Sequence, residues 1–240
     1  METRIVTIGI GGATSSGKTI LAKHLRNSLH NSLIIHQDDF VPPAEKLPVD
    51  EVYGFTNWDD APGAIDWDRM VDFLSNLKKT GNLPPDHQSF DGFNETISVP
   101  VDDEIIADWK QKSKKVASEH LEKYAQIQRL TTTKRIISNL DVRVFCRVPE
   151  DVAKSRREAR AYYTPEGDTW RDPPQYWEKI VWPAYIRAHK HMFEGEDVAN
   201  GKLNGKMKNL ILFEGMETKI GDMINTVMQN VLDFSASKKE

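Results

Sequence analysis

The chain has a single cysteine, Cys146, in 240 residues, so no intrachain disulfide framework can brace it and its stability must come from a packed core. It has no run approaching 18 consecutive apolar residues, which excludes a membrane-spanning helix. It also lacks an excess of positive charge. Against 36 Asp+Glu stand 32 Lys+Arg, a formal net charge of −4, which argues against a surface built to coat nucleic acid. No signal-peptide pattern opens the chain, because Met1-Glu-Thr-Arg runs straight into a strand-like stretch. Internal repeats and low-complexity tracts are missing as well. The expectation is one intracellular α/β domain in a reducing compartment, the cytoplasm, with the nucleus also open.

What is present alternates between two periods. Residues 4–10, 32–36, 140–148 and 210–213 are short β-branched or apolar runs that read as buried strands. Between them, 18–29, 66–79, 103–128, 150–161, 175–193 and 218–233 carry apolar residues at helical spacing. Strands alternating with helices predict a mostly parallel sheet covered on both faces.

The sharpest signal follows the first strand. Gly12-Ala13-Thr14-Ser15-Ser16-Gly17-Lys18-Thr19, with Ile20 next, matches G-x-x-x-x-G-K-[ST] between a predicted strand and a predicted helix. Glycines let the backbone curl so that successive N–H groups face phosphate oxygens at a helix N-terminus. Lys18 would neutralise the β- and γ-phosphates, and the Thr19 hydroxyl would ligate Mg²⁺. The competing reading, a glycine turn with a surface lysine, does not need the strand–loop–helix context. ATP or GTP binding is therefore expected here.

His36-Gln37-Asp38-Asp39-Phe40 ends the second strand, where open α/β sheets place their ligands. A carboxylate there could take the proton of an attacking hydroxyl. Further on come Asn57-Trp58-Asp59 with Pro62, Ala64 and Asp66. Later stretches are Ser155-Arg156-Arg157-Glu-Ala-Arg160, Asp172-Pro-Pro-Gln-Tyr176-Trp177 and Val181-Trp-Pro-Ala-Tyr185. In combination these resemble the nicotinamide riboside kinases, with fungal members nearest in pattern, and more distantly the uridine kinases. The resemblance covers residues 4–80 and 140–235.

The resemblance implies a P-loop kinase fold, a parallel sheet between helices with an Arg-rich lid at about 155–174. It implies ATP and Mg²⁺ as cofactors and nicotinamide riboside as acceptor, with nicotinic acid riboside a second substrate. Asp38 would be the general base on the 5′-hydroxyl, with Lys18 and Arg156 also catalytic. Asp59 would hold the ribose hydroxyls with Arg157 as its partner. Trp58 would stack on the pyridinium ring, whose positive charge suits an indole face. Tyr162 or Tyr163 would supply the opposite face, and Glu166 or Asp168 would lie near the base. Arg156, Arg157 and Arg160, three or four residues apart, are read as sharing one helix side over the phosphates, with Arg156 and Arg160 on ATP. The aromatic helix at 175–186 is read as core packing. No nucleic acid, membrane or obligate protein partner is expected.

One departure stands out. The family carries an apolar strand ending in Asp/Glu-Gly-Phe upstream of residue 140, and its acid helps to position Mg²⁺. Residues 103–140 hold no such run, only Gln126-Ile-Gln-Arg-Leu-Thr-Thr-Thr-Lys-Arg-Ile-Ile137. Glu214-Gly215 has the letters but follows the lid. Either 131–137 substitutes for the strand or the sequence is a shortened product. The expectation is a sheet without its central member and a marginally stable chain. A pyrimidine nucleoside kinase and a non-catalytic nucleotide-binding relative remain the competing readings.

Overall fold

β1, Arg4–Gly12, is buried along nearly its whole length, as its alternation of isoleucine, valine and small residues requires of a central parallel strand. The computed structural model describes residues 4–85, 87, 89, 99–120, 122–128, 134–160, 162–163 and 169–237. After β1 come α1, Lys18–Ser28, and β2, Ser32–His36. A 3-10 turn, Gln37–Phe40, leads through an irregular stretch to the short α2, Ala61–Ala64, and to α3, Trp67–Thr80, whose N-cap is Asp66. Then follow α4, Asp103–His120; β3, Glu122–Gln128; α5, Lys134–Ile137; β4, Val142–Arg147; and α6, Glu150–Glu158. A two-residue hairpin, β5 (Tyr162–Tyr163) and β6 (Thr169–Trp170), precedes a π-helical turn, Trp177–Val181, that runs into α7, Trp182–His189. β7, Leu210–Glu214, and α8, Ile220–Ser237, complete the elements.

Five strands make one sheet in the order β2-β3-β1-β4-β7, every neighbour parallel. All carboxyl ends therefore lie along one edge, and the loops after β1 and β2 emerge there together. One face packs on α1, α4 and α8 through Val6, Ile8, Leu25, Trp109, Val144 and Val227. The opposite face is covered by α3 beneath β2 and β3, and by the 176–186 helical segment beneath β4. No helix among the described residues is long and apolar enough to cross a membrane.

Two sequence expectations are corrected. The helix expected over 103–128 ends at His120, and the chain re-enters the sheet as β3 between β1 and β2. The central position expected to be vacant is thus filled, with Ile8 opposite Gln126 on one side and Ile35 opposite Ile127 on the other. The segment offered as a substitute does not do this. Lys134–Ile137 is helical, and 131–133 lies outside the described residues.

β3 was unreadable as a strand because polar residues, Glu122 and Gln126, interrupt its buried positions. Glu122 has a fully buried side chain that pairs with Arg4 at 3.0 Å and accepts hydrogen bonds from Tyr124 at 3.2 Å and Ser235 at 2.8 Å. Gln126, with its amide in the swapped orientation, donates to the Ala22 carbonyl at 2.8 Å and accepts from the Arg26 N–H at 3.0 Å. Polar groups with such partners can occupy a sheet centre at little cost.

Candidate active site

The loop after β1 has the backbone its glycines were expected to permit. Gly12 sits at φ +133°, and a Cβ there would lie 2.1 Å from the Cys146 carbonyl oxygen, so no side chain fits. Gly17, at φ +93°, is the N-cap of α1 and leaves the first helical N–H groups facing outward. Lys18 is 7 % exposed and its ammonium hydrogen-bonds the Ala13 carbonyl, which folds the charge back over the loop. Cys146 lies beneath on β4. Burial pushes its thiol up to about 11, with the Lys18 charge working the other way.

A cleft of about 450 Å³ opens from this loop along α1. Ser15 through Ile20 form one wall, with Val99, Thr218, Ile220 and Met223 further along. Arg156 and Arg160 also line it, and Arg156 Nη1 donates to the Ser15 carbonyl at 3.4 Å. That volume and an apolar far end suit a nucleotide whose phosphates rest on the loop.

Arg157 goes elsewhere. The expectation that Arg156, Arg157 and Arg160 share one side is corrected, because adjacent helical residues point about 100° apart. Arg157 is 5 % exposed and grips Asp59 with both terminal nitrogens, at 2.8 and 2.9 Å. Asp172 accepts from its Nε at 2.6 Å and from Nη2 at 2.9 Å. Burial opposes the guanidinium charge, but the two carboxylates outweigh it and hold the group firmly cationic. Tyr176, fully buried, accepts the Trp58 N–H at 3.0 Å and also pairs with Asp59. Burial first, and then the Asp59 charge, pushes the Tyr176 hydroxyl above its ordinary range.

Trp58 and Asp59 are placed by this network and by Asn57, whose Oδ1 accepts from the Asp59 and Asp60 N–H groups at 3.3 and 2.9 Å. Both residues line a smaller cavity of about 70 Å³ that reaches Gly12 and Thr14 of the phosphate loop and Gln37 of the 3-10 turn. That turn separates its two acids. Asp39 is 6 % exposed and its carboxylate accepts the His36 N–H at 3.3 Å, a structural cap. Asp38 is exposed.

The structure therefore brings Gly12, Thr14, Trp58 and Asp59 around one cavity, and Ser15–Ile20, Arg156 and Arg160 around the cleft. Ala13 is buried beneath the loop. Tyr162 and Tyr163 form β5, but the choice between their side chains, like Glu166 and Asp168, lies outside the described residues. Sequence reasoning missed Asp172 and the polar role of Tyr176, although both stand within the stretch that carries the family resemblance. Among the described residues there is no group of three or more His, Cys, Asp or Glu able to hold a metal by itself. Glu214 is committed to Arg147, whose Nε donates to it at 3.0 and 3.1 Å.

Comparison with known proteins agrees with this geometry. The chain is 26 % identical over 236 residues to the nicotinamide riboside kinase of Schizosaccharomyces pombe, covering 97 % of this chain and 99 % of that one. It is 27 % identical over 235 residues to the enzyme of that name from Saccharomyces cerevisiae, with 95 % and 96 % covered. Against nicotinamide riboside kinase 2 of Mus musculus the identity is 30 % over 185 residues, 77 % of this chain and 80 % of the other. No family model matches the chain.

Proposed function

The chain belongs to the nicotinamide riboside kinases, and from that premise we propose that it transfers the γ-phosphoryl group of ATP to the 5′-hydroxyl of nicotinamide riboside, giving nicotinamide mononucleotide for NAD synthesis. Nicotinic acid riboside is the second acceptor of this reading. The observation that carries it is one loop lining both a cleft, through Ser15–Ile20, and a cavity shared with Trp58 and Asp59, through Gly12 and Thr14, with the neighbours Arg156 and Arg157 serving one each.

In this reading Lys18 and the loop N–H groups hold the β- and γ-phosphates. Arg156 and Arg160 cover the charge that spreads over the transferring oxygens. Asp59, aimed by Arg157, accepts from the ribose 2′- and 3′-hydroxyls. The Trp58 face meets the pyridinium ring, with Tyr162 or Tyr163 opposite. Asp38 takes the 5′-hydroxyl proton, because exposure leaves it open to substrate while Asp39 is tied to His36. Phosphate-site Mg²⁺ needs only one or two protein oxygens beside the nucleotide's own. Thr19, lining the cleft next to Lys18, fits such an ion brought in with ATP. When bound, it would neutralise charge between the phosphates.

A non-catalytic relative is kept as a second reading by one observation: β3 is followed by Arg129-Leu130-Thr131, without the family's acid. Incubation of the purified chain with Mg-ATP and nicotinamide riboside, with uridine in parallel, decides. Mononucleotide formation with nicotinamide riboside preferred supports the reading. ATP binding without turnover of either nucleoside overturns it, and a uridine preference reassigns the acceptor. We read the chain as one kinase domain acting in the cytoplasm without an obligate partner.

A further inference from the structure

Beyond a capping box, in which the His36 side chain accepts from the Asp39 backbone and the Asp39 carboxylate from the His36 backbone, the turn that carries Asp38 has few bonds of its own. It is four residues long, and its closing bond runs from the Val41 N–H to the Asp38 carbonyl at 3.2 Å. Asp38 itself is exposed. The turn is held from outside at three points. The Asp66 N–H donates to the Phe40 carbonyl at 2.9 Å. The Asp39 carboxylate caps His36 and lies 3.6 Å from His87 Nε2, beyond hydrogen-bond distance. Arg69 Nη2 donates to the Asp39 carbonyl at 2.7 Å, with its guanidinium 5.3 Å from the centre of the Phe40 ring.

These three points differ in kind. Asp66 acts through its backbone, Asp39 is buried, and His87 is packed against Phe40 and Phe73. Arg69 is an exposed residue in the first turn of α3, where its own N–H is capped by Asp66 Oδ1 at 3.0 Å. It adds little to the core, yet it spends a short, charge-assisted bond on the residue directly after Asp38. Such bonds are about twice as strong as neutral ones.

We propose that Arg69 is a positioning residue for phosphoryl transfer: by gripping the Asp39 carbonyl it fixes the turn so that the Asp38 carboxylate meets the acceptor hydroxyl. Asp38 is reached only through the backbone that joins it to Asp39, so a change at Arg69 alters its aim and not its chemistry. This rests on the reading of Asp38 as the base. Misplacement of about 1 Å in such a group can cost up to about 10²-fold in rate. Lysine keeps one charged donor at this position and methionine keeps the length with none.

The test compares Arg69→Met and Arg69→Lys with the unaltered chain, in steady-state kinetics and in amide exchange of residues 36–40. Arg69→Met is expected to lower kcat by about tenfold, within the range that misplacement permits. The KM for ATP should stay within twofold and unfolding should be unchanged. Exchange at 36–40 should speed up, and Arg69→Lys should restore most of both effects. Unchanged kcat with unchanged exchange in Arg69→Met overturns the proposal. So does a loss of kcat that merely tracks a fall in Tm. If the unaltered chain phosphorylates no riboside, the functional reading fails, while the exchange measurement still decides whether Arg69 holds the turn.

Discussion

Asp38 and Asp39 are adjacent and chemically identical, and only their surroundings separate them. Asp39 is buried as a cap and Asp38 is exposed at the sheet edge. Asp38→Asn is therefore expected to lower kcat by about 10²-fold or more with riboside affinity kept. Asp39→Asn, which can still accept the His36 N–H, should cost much less. Kinetics of the two variants side by side check the assignment, and a reversed order would reverse it. Trp58 makes a separate prediction. Trp58→Leu keeps apolar bulk but removes the π face, worth roughly 0.5–2 kcal/mol to a desolvated cation. Calorimetric affinity for nicotinamide riboside should fall more than that for uridine, and equal losses would reduce Trp58 to packing. Asp38 and Trp58 could be singled out from the sequence because their letters stand close together in short motifs. The clamp on Arg157 was legible only in part. Asp59 is 98 residues away in sequence, and it was the family resemblance that joined the two. Asp172 and Tyr176 gave no such signal, since an aspartate before two prolines and a tyrosine in an aromatic helix each have blander explanations.

Among the elements, the four strands with apolar letters were found within a residue or two, and β3 was not. Periodicity detects a strand by what its buried face excludes, and β3 buries Glu122, Tyr124 and Gln126 on the face toward α1 and α8. Each polar group there is matched to partners distant in sequence, which no window of the local sequence reveals. Glu122 is the most exposed to test. Its carboxylate serves Arg4, Tyr124 and Ser235 together, and so ties the middle of the sheet to the end of α8. Glu122→Ala would leave a half-buried guanidinium and two hydroxyls without their acceptor. Loss of one member of a buried pair typically costs about 3–5 kcal/mol. The upper part of that range is tempered here because Arg4 is 29 % exposed in its side chain. We expect a drop of about 2–4 kcal/mol in urea unfolding, and a value below about 1 kcal/mol would show that the cluster relaxes easily.

At the scale of the whole molecule, the filled sheet reverses the expectation of marginal stability. Each unpaired buried backbone group costs about 1–3 kcal/mol, so a vacant centre would have exhausted the roughly 5–15 kcal/mol that a domain has. With β3 paired on both sides, no such deficit exists. Cys146 offers a probe of this. It is 1 % exposed in β4, between β1 and β7 at the floor of the phosphate-loop cleft, so the folded chain offers a reagent almost none of its surface. Burial raises its ionisation from the ordinary 9.0 to about 11, which leaves almost no reactive thiolate in the folded state at neutral pH. Because the raised value belongs to the folded state, the associated stability is complete below pH 9 and is lost as pH rises through about 11. At pH 8, disulfide-reagent labelling should therefore follow global unfolding, with circular dichroism and tryptophan fluorescence giving the same transition. Mg-ATP at about 100 times its Kd should stabilise the fold by about 2.7 kcal/mol and slow labelling about 100-fold. Labelling at the rate of a free thiol under native conditions, or separate transitions by the two optical probes, would mean that β3 does not knit the sheet into one cooperative unit.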